Sequence, residues 1–153
     1  MALTYTSTAN MLAVPRSVHI GVNHLEFDFN SGAGKFGSLS DVLLIGKLPN
    51  GAKILDVALQ FGVSTAGAIH YTLLALVQDT PGGTYSTFAT IYGSMTASLT
   101  AATFRSVTPY KVSLSDDRAV KHITLALNCT TGASGTVSQS IQGLFLYATD
   151  GVA

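Results

Sequence analysis

The sequence predicts an all-β protein: an antiparallel β-sandwich of about eight strands, jelly-roll-like, preceded by an extended N-terminal arm. Three observations predict this class. Short segments with apolar residues at every second position recur along the chain, turn residues separate them, and no long segment has the spacing of an amphipathic helix. Eight strands suit a jelly roll, in which two sheets pack face to face. The length of 153 residues fits one domain, so we expect an arm over residues 1–16 and a single sandwich over 17–153.

The chain is organised around the stretch 39–63, which predicts a strand, a tight turn and a second strand in a hairpin. The apolar run from Val42 to Ile45 is typical of a strand buried on both faces. Pro49-Asn50-Gly51 favours a chain reversal because proline pre-sets φ and Asn-Gly tolerates positive φ. The second strand alternates, and its apolar residues are expected on a core face: Leu55, Val57, Leu59, Phe61 and Val63.

Before this stretch, residues 16–30 contain two alternations that are out of phase, with a slip at Asn23-His24. We expect a bulge or short turn at the slip, which would bring both apolar sets onto one face. The glycine-rich segment 31–38 does not match a phosphate-binding loop, because Phe36 rather than Ser or Thr follows Gly34-Lys35. We therefore expect a plain flexible loop there.

The rest of the chain supplies five more predicted strands with turns at 80–84 and 115–118. Pro109 is expected to break one of these strands, which suits an edge or a bend. The segment 93–103 is ambiguous: its apolar residues have helical spacing, but Thr and Ser weaken helix propensity, so we expect a short helix or a loop crossing. The predicted strands are 68–79, 85–92, 104–114, 121–129 and 137–149; in the fourth, Ile123, Leu125, Leu127 and Cys129 are expected to face the core.

Charged residues make up only 10% of the chain and hydrophobic residues 47%, whereas a typical soluble domain has about 25% charged residues. Such a surface suits permanent contact with other subunits, so we expect a homo-oligomer, with a stable β-protein surfaced by Thr and Ser as the alternative. The net charge is zero and no basic stripe exists, which argues against nucleic-acid binding. No apolar run reaches the roughly 18 residues that span a bilayer, and no signal-peptide pattern occurs, so we expect no membrane contact and no secretion by the usual route.

No constellation for catalysis or cofactor binding stands out, and we expect a non-enzymatic protein without cofactor or metal. Cys129 falls on a core phase, where a catalytic thiol is not expected. The run Asp116-Asp117-Arg118 fits turn capping and local pairing. Asp56 has Lys47 and Lys53 as possible partners. The four histidines lie on different segments without metal-ligand spacing: His19, His24, His70 and His122.

The arm carries no charged side chain over residues 1–15, which is unlike a typical disordered segment. We expect it to dock on a neighbouring subunit or on its own domain, with an edge strand or a frayed tail as an equal alternative. Arg16 is a candidate anchor that would pair with a carboxylate of a partner. The candidate interface residues are Tyr5, Met11, Leu12, Pro15 and Arg16.

Beyond these patterns, the chain shows a family resemblance. The uncharged Thr-rich N-terminus, FDFNSGAGKFGSLSDVLLIGKLPNGAKILDVALQFGVST, YTLLAL, SLSDDRAVKHITLALN and TTGASGTVSQSIQGLFLY together resemble small structural proteins of tailed bacteriophages, and LLIGKLPNGAKILD is the most specific part. The resemblance implies a capsid decoration (cement) protein that is β-rich and often trimeric. It implies synthesis in the host bacterial cytoplasm and binding to the major capsid protein on the outer capsid surface, against the pressure of packaged DNA. No functional residues carry over, because this class acts through surfaces.

Two other classes remain open from the residues. A carbohydrate- or receptor-binding β-sandwich of a phage tail fibre would need exposed aromatic and polar side chains on loops, to which Tyr85, Tyr92 and Tyr110 are the plausible contributors. Glycan binding by the isolated protein would favour it. A jelly-roll enzyme of the cupin type would need His and Glu ligands at inward positions, and Glu26 is the only glutamate.

Overall fold

A computed structural model describes residues 4–6, 21–30, 39–62, 69–97, 102–114, 119–131 and 140–149. Every regular element among these residues is a β-strand. The described part of the chain thus has no helix that is long and apolar enough to cross a membrane. The ten strands are β1 Thr4–Thr6, β2 Gly21–Asn30, β3 Val42–Pro49, β4 Lys53–Phe61, β5 Ile69–Gln78, β6 Tyr85–Ala97, β7 Ala102–Ser106, β8 Tyr110–Lys111, β9 His122–Thr131 and β10 Ser140–Thr149.

The strands form two sheets packed as a jelly-roll sandwich, which confirms the predicted class. Sheet A has the order β1-β3-β9-β5-β6, and sheet B has the order β2-β10-β4-β7 with β8 also paired to β4. All pairs are antiparallel except the pair of β1 with β3. Since β7 and β8 lie along the same partner with Val107 to Pro109 between them, they act as one interrupted strand, as the proline predicted.

The core lies between the sheets and follows the predicted alternation most closely on β9. Ile123, Leu125, Leu127 and Cys129 are all fully buried. Across the core, Tyr71 of sheet A stacks on Phe61 of sheet B with ring centroids 5.3 Å apart and planes 9° apart. Burial, with smaller effects of Cys129 and Asp41, raises the pKa of the Tyr71 phenol. The phenol therefore stays neutral, as an interior packing group requires.

The predicted hairpin over 39–63 is wrong, although its two strands and its turn exist. β3 and β4 belong to different sheets, and the Pro49-Asn50-Gly51 turn carries the chain across the sandwich. The physical reason is that the turn is bonded to a third segment: the Asn50 side chain accepts from the backbone N–H of Leu114 (2.8 Å) and donates to its carbonyl (3.4 Å). Gly51 has φ +83°, as the Asn-Gly signal required.

The true hairpin joins β5 to β6 through residues 80–84, where a turn was predicted. The backbone N–H of Gly83 donates to the carbonyl of Thr80 (2.9 Å), and Gly82 has φ +75°. β6 runs on to Ala97, so the part of the ambiguous segment from 93 to 97 is strand rather than helix. Met95 is buried in the core there, because alternate residues of a strand point inward.

The bulge predicted at Asn23-His24 is also wrong. β2 pairs with β10 over ten consecutive residues without a register shift, so Val22 lies 64% exposed on the outer face while Phe27 is buried. A bulge occurs instead in β4, where Leu55 is the extra residue and Ile54 takes the core position expected for Leu55. The glycine-rich loop 31–38 and the turn 115–118 lie outside the described residues, as do Val63 and His19.

Gly143 of β10 provides a test of how closely the core is packed. It occupies an inward position, and the side chains of Phe27 and Leu59 on the two flanking strands close over it, so that an added Cβ would lie 2.6 Å from Leu59 Cδ2 and nearer still to Phe27 Cε1. We expect Gly143→Ala to lower the free energy of unfolding by about 1–3 kcal/mol through overpacking, measured by urea denaturation. Gly93→Ala is the matched control, since an added Cβ meets nothing within 4 Å; equal stability of the two variants would contradict the packing described.

Candidate interaction surface

Charged residues are distributed unequally between the two sheets. The strands of sheet A contain one Asp, Glu, Lys or Arg residue, Lys47, although they include the longest strand of the described chain. The strands of sheet B contain six: Glu26, Asp28, Lys53, Asp56, Arg105 and Lys111. Because alternate side chains of each strand point away from the core, the outer faces of the two sheets have different chemistry.

The outer face of sheet A, here named the sheet A face, carries an apolar cluster. Leu44 of β3, Ala126 of β9 and Leu74 of β5 are opposite one another in register, so their side chains form a continuous row across three strands. Leu44 is 5% exposed and Leu76 6% exposed, although both point away from the main core. Val42 packs against the same cluster. The apolar run of β3 is therefore shared between two faces: Leu43 and Ile45 face the core, and Leu44 faces outward.

A groove of about 510 Å³ lies over this cluster. No charged side chain is among its described lining residues, and hydroxyl and amide groups surround the apolar floor. A surface of this composition loses little hydration free energy when a neutral partner covers it, because no ion has to be desolvated. The described lining residues are Thr4, Val42, Leu44, Leu74, Leu76, Thr84, Tyr85, Thr87 and Asn128.

The groove continues to an edge of sheet A that has unusual exposure of aromatic side chains. β6 forms this edge, is 13 residues long and has no charged residue. Tyr85 is 37% exposed, and Phe88, the extra residue of a bulge opposite β5, is 39% exposed. Natural edge strands are usually shielded by charges, bulges or proline. Here only the bulges are present, so this edge extends the surface available for protein contact.

The outer face of sheet B is polar and carries ion pairing. The Arg105 guanidinium donates to both carboxylate oxygens of Asp56, at 2.8 and 3.3 Å. The ion-pair partner of Asp56 is therefore Arg105, rather than Lys47 or Lys53, which the sequence offered as possible partners. The pairing of β4 with β7 places Arg105 opposite Ala58, and from there the Arg105 side chain reaches Asp56. The Arg105 side chain is 70% exposed, so this pair contributes little to stability and its face suits contact with water.

Of the predicted interface residues, Tyr5 alone is among the described residues. It is the middle residue of β1, and its backbone lies opposite Leu43 on the edge of sheet A. Met11, Leu12, Pro15 and Arg16 lie outside the described residues, and the boundary between arm and sandwich at residue 16 stays a prediction. The sheet A face itself was not located from the sequence, because the apolar run of β3 predicts a strand buried on both faces and does not indicate what covers its outer face.

Candidate chemistry is dispersed in the described part of the chain. No group of three or more His, Cys, Asp or Glu side chains there could hold a metal ion. Cys129 is buried, as its phase predicted. His70 is hydrogen-bonded to the hydroxyl of Thr96 (3.0 Å), and Glu26 is exposed rather than inward. The cupin arrangement considered from the sequence is thus absent among these residues.

The three tyrosines considered for carbohydrate binding lie in different environments. Tyr92 packs on Phe104 with ring centroids 5.6 Å apart and donates its hydroxyl to the carbonyl of Thr108. Tyr110 packs against the core, and only Tyr85 is exposed. They do not form the exposed aromatic platform that stacking on sugars would require.

Comparisons with known proteins identify solved structures of the same fold. No family model matches the chain, and no curated protein matches it in sequence. A chain from the capsid of Ralstonia phage GP4 aligns with TM-score 0.64 and 14% identity over 95% of this chain and 97% of that chain. A chain from the capsid asymmetric unit of cyanophage Pam1 aligns with TM-score 0.53 and 16% identity over 93% and 94%. Both are chains of phage capsid structures, and at these identities the likeness establishes the shared jelly-roll fold.

His122 is a titratable residue at the margin of the sheet A face, near Lys47. Partial burial first, and the Lys47 charge second, lower the pKa of the imidazole below its ordinary value. The unfolded chain then binds the proton more tightly, so the contribution of His122 to stability is present above about pH 6.5 and is lost as the pH falls. We expect His122→Gln to reduce the loss of stability between pH 7.5 and pH 5.0, measured as urea midpoints. His24→Gln, which removes an exposed imidazole of β2, is the control; an unchanged loss in His122→Gln would contradict this assignment.

Proposed function

We propose that this protein is a non-enzymatic capsid decoration protein that binds the outer surface of a phage head as a homo-oligomer, most simply a trimer, and stabilises the head against internal DNA pressure. Its partner is the major capsid protein, and it is made in the host bacterial cytoplasm. The observation that carries the proposal is the near absence of charge from sheet A, beside a fold shared with chains of two phage capsid structures. The sequence resemblance supports the same class.

The unequal faces suggest how such a protein is oriented. Sheet B presents Glu26, Asp28 and the Asp56–Arg105 pair, which are hydrated at little cost. The sheet A face presents a Leu44–Leu74–Leu76 floor and a rim of threonines, which favours contact with protein. In the proposed assembly sheet A faces the neighbouring subunits, whether copies of this chain or the capsid, and sheet B faces the solvent.

The stabilising mechanism is linkage between binding and lattice integrity. A protein that binds the assembled lattice and not its dissociated subunits stabilises the lattice by the free energy of binding. A contact of standard size buries about 1,600 Å² in total, and a symmetric oligomer multiplies such contacts through avidity. No substrate or cofactor is needed for this function.

A single charge on the sheet A face tests the proposal. Thr87 is exposed on β6 and lines the groove, so Thr87→Asp places a carboxylate where the proposed contact excludes water. We expect at least about a tenfold loss of affinity, either between copies or for empty capsids, since one poorly solvated charge exceeds 1.4 kcal/mol. The mass of the purified protein in solution and its co-sedimentation with empty capsids measure the two contacts separately.

Thr103→Asp is the matched control, because Thr103 is also an exposed strand threonine lining a groove, but on sheet B. We expect it to associate as the unmodified protein does. If the unmodified protein is a monomer that ignores capsids, the proposed function is wrong. If Thr87→Asp and Thr103→Asp behave alike while the unmodified protein binds, the orientation is wrong and the function stands.

The N-terminal arm is proposed to strap the protein to a neighbour, with Arg16 as its anchor. Removal of residues 1–15 is then expected to reduce capsid occupancy and the heat resistance of decorated heads, because the strap contributes contacts without a charge to desolvate. Arg16→Gln should cause a smaller loss that vanishes at high salt, as expected for an exposed ion pair. Unchanged occupancy and heat resistance after the deletion would refute the strap.

A further inference from the structure

β1 differs from every other described strand in length, direction and attachment. With β8 it is one of the two shortest described strands, and its pair with β3 is the only parallel pair among the strands described. It lies on the outer edge of β3, with Thr4 opposite Val42 and Thr6 opposite Leu44. No described strand covers its other side. Three residues on an edge contribute few backbone hydrogen bonds, and the side chain of Thr4 is exposed.

The connection from β1 to β2 is longer than the fold requires. The β3 edge of sheet A and the β2 edge of sheet B are on the same side of the sandwich, since the Leu25 side chain lies directly over Gly46. Thr6 is opposite Leu44, two residues from Gly46, and Gly21 is four residues from Leu25. With a rise of about 3.3 Å per residue along each strand and about 10 Å between the sheets, Gly21 lies at most roughly 25 Å from Thr6. Fourteen residues, 7–20, make this connection, and fourteen residues reach up to about 46–50 Å.

We infer that β1 is exchanged between copies: in the oligomer, Thr4–Thr6 of one protomer pairs with Val42–Leu44 of the next. The same backbone hydrogen bonds are made within or between chains, so exchange costs little enthalpy. The reach of the 7–20 connection exceeds the diameter of the sandwich, about 30–40 Å for a radius of gyration near 15 Å. Reciprocal exchange between two copies gives a closed dimer, and head-to-tail exchange gives a ring, such as the proposed trimer, when the rotation between subunits closes.

Exchange also places the groove of the sheet A face at the junction between copies. Thr4 is one of its lining residues, so in the exchanged arrangement one wall of the groove comes from the neighbour. Because β2 of the other sheet lies between β1 and β3 in sequence, β1 is joined to its own sandwich only through the 7–20 connection. The inference extends the proposed homo-oligomer and names the segment that joins its subunits.

Engineered disulfides distinguish exchange from an internal strand. In a Cys129→Ala background, Thr4→Cys with Val42→Cys places two thiols on opposite positions of β1 and β3, within the Cα separation of about 4.4–6.8 Å that a disulfide spans. Exchange predicts that oxidation converts most of the chain into covalent dimers and larger closed species on a non-reducing gel. An internal strand predicts a cross-linked monomer, and that result would overturn the inference, as would the absence of any cross-link.

Two further samples make the result unambiguous. Co-expression of chains carrying Thr4→Cys alone and Val42→Cys alone, both with Cys129→Ala, should give mixed dimers at least tenfold above either chain by itself. Asp28→Cys with Gln142→Cys, opposite positions of β2 and β10 within one protomer, should give only cross-linked monomer and shows that the background folds. Capsid co-sedimentation of the unmodified protein is scored separately, so exchange without capsid binding refutes the decoration function, and capsid binding with internal cross-links refutes exchange.

Discussion

The contact between the inner faces of the two sheets is the constraint on which the rest of the structure depends. Neither sheet has a helix to cover it among the described residues, so each must use the other as its apolar partner. Phe61 and Tyr71 stack at the centre of this contact, and Gly143 lets Phe27 and Leu59 approach from strands on either side of it. Once both inner faces are assigned to one another, each outer face is free to take a different composition.

That freedom explains the difference between the sheets. A sandwich in free solution would be expected to carry charges on both outer faces, because water solvates them at little cost and they oppose association. Sheet B follows this expectation, with the Asp56–Arg105 pair exposed on its surface. Sheet A departs from it: Leu44, Leu76 and Ala126 form a second apolar cluster outside the main core. These three residues are at most 6% exposed and so already contribute to folding, and the apolar area left for association lies on their partly buried neighbours Val42 and Leu74.

The sequence was sufficient for the strands and the fold class because period-two alternation is a local property. On β9 the alternation identified each core residue, and Pro109 marked the interruption between β7 and β8. It was insufficient for pairing. The Asn50-Gly51 signal specifies a reversal, but whether the strands on either side pair depends on a distant segment, here the backbone of Leu114 held by Asn50. Likewise, the bulge at Leu55 depends on β10, which no local pattern around β4 reports.

The surface was harder to predict than the core for a related reason. Composition indicated an interface, since 10% charged residues is well below the share of about 25–35% that suits a monomeric surface, but composition does not show where on the molecule the interface lies. Location required the topology, which places β3, β5, β6 and β9 in one sheet whose strands carry a single charged residue, Lys47. A strand of apolar residues on both faces, such as β3, is compatible with a parallel interior strand or with a strand between a core and a partner. Among the described residues no helix covers the antiparallel sandwich, so the first interpretation does not apply, and the proposed partner contact accounts for the apolar outer face of β3.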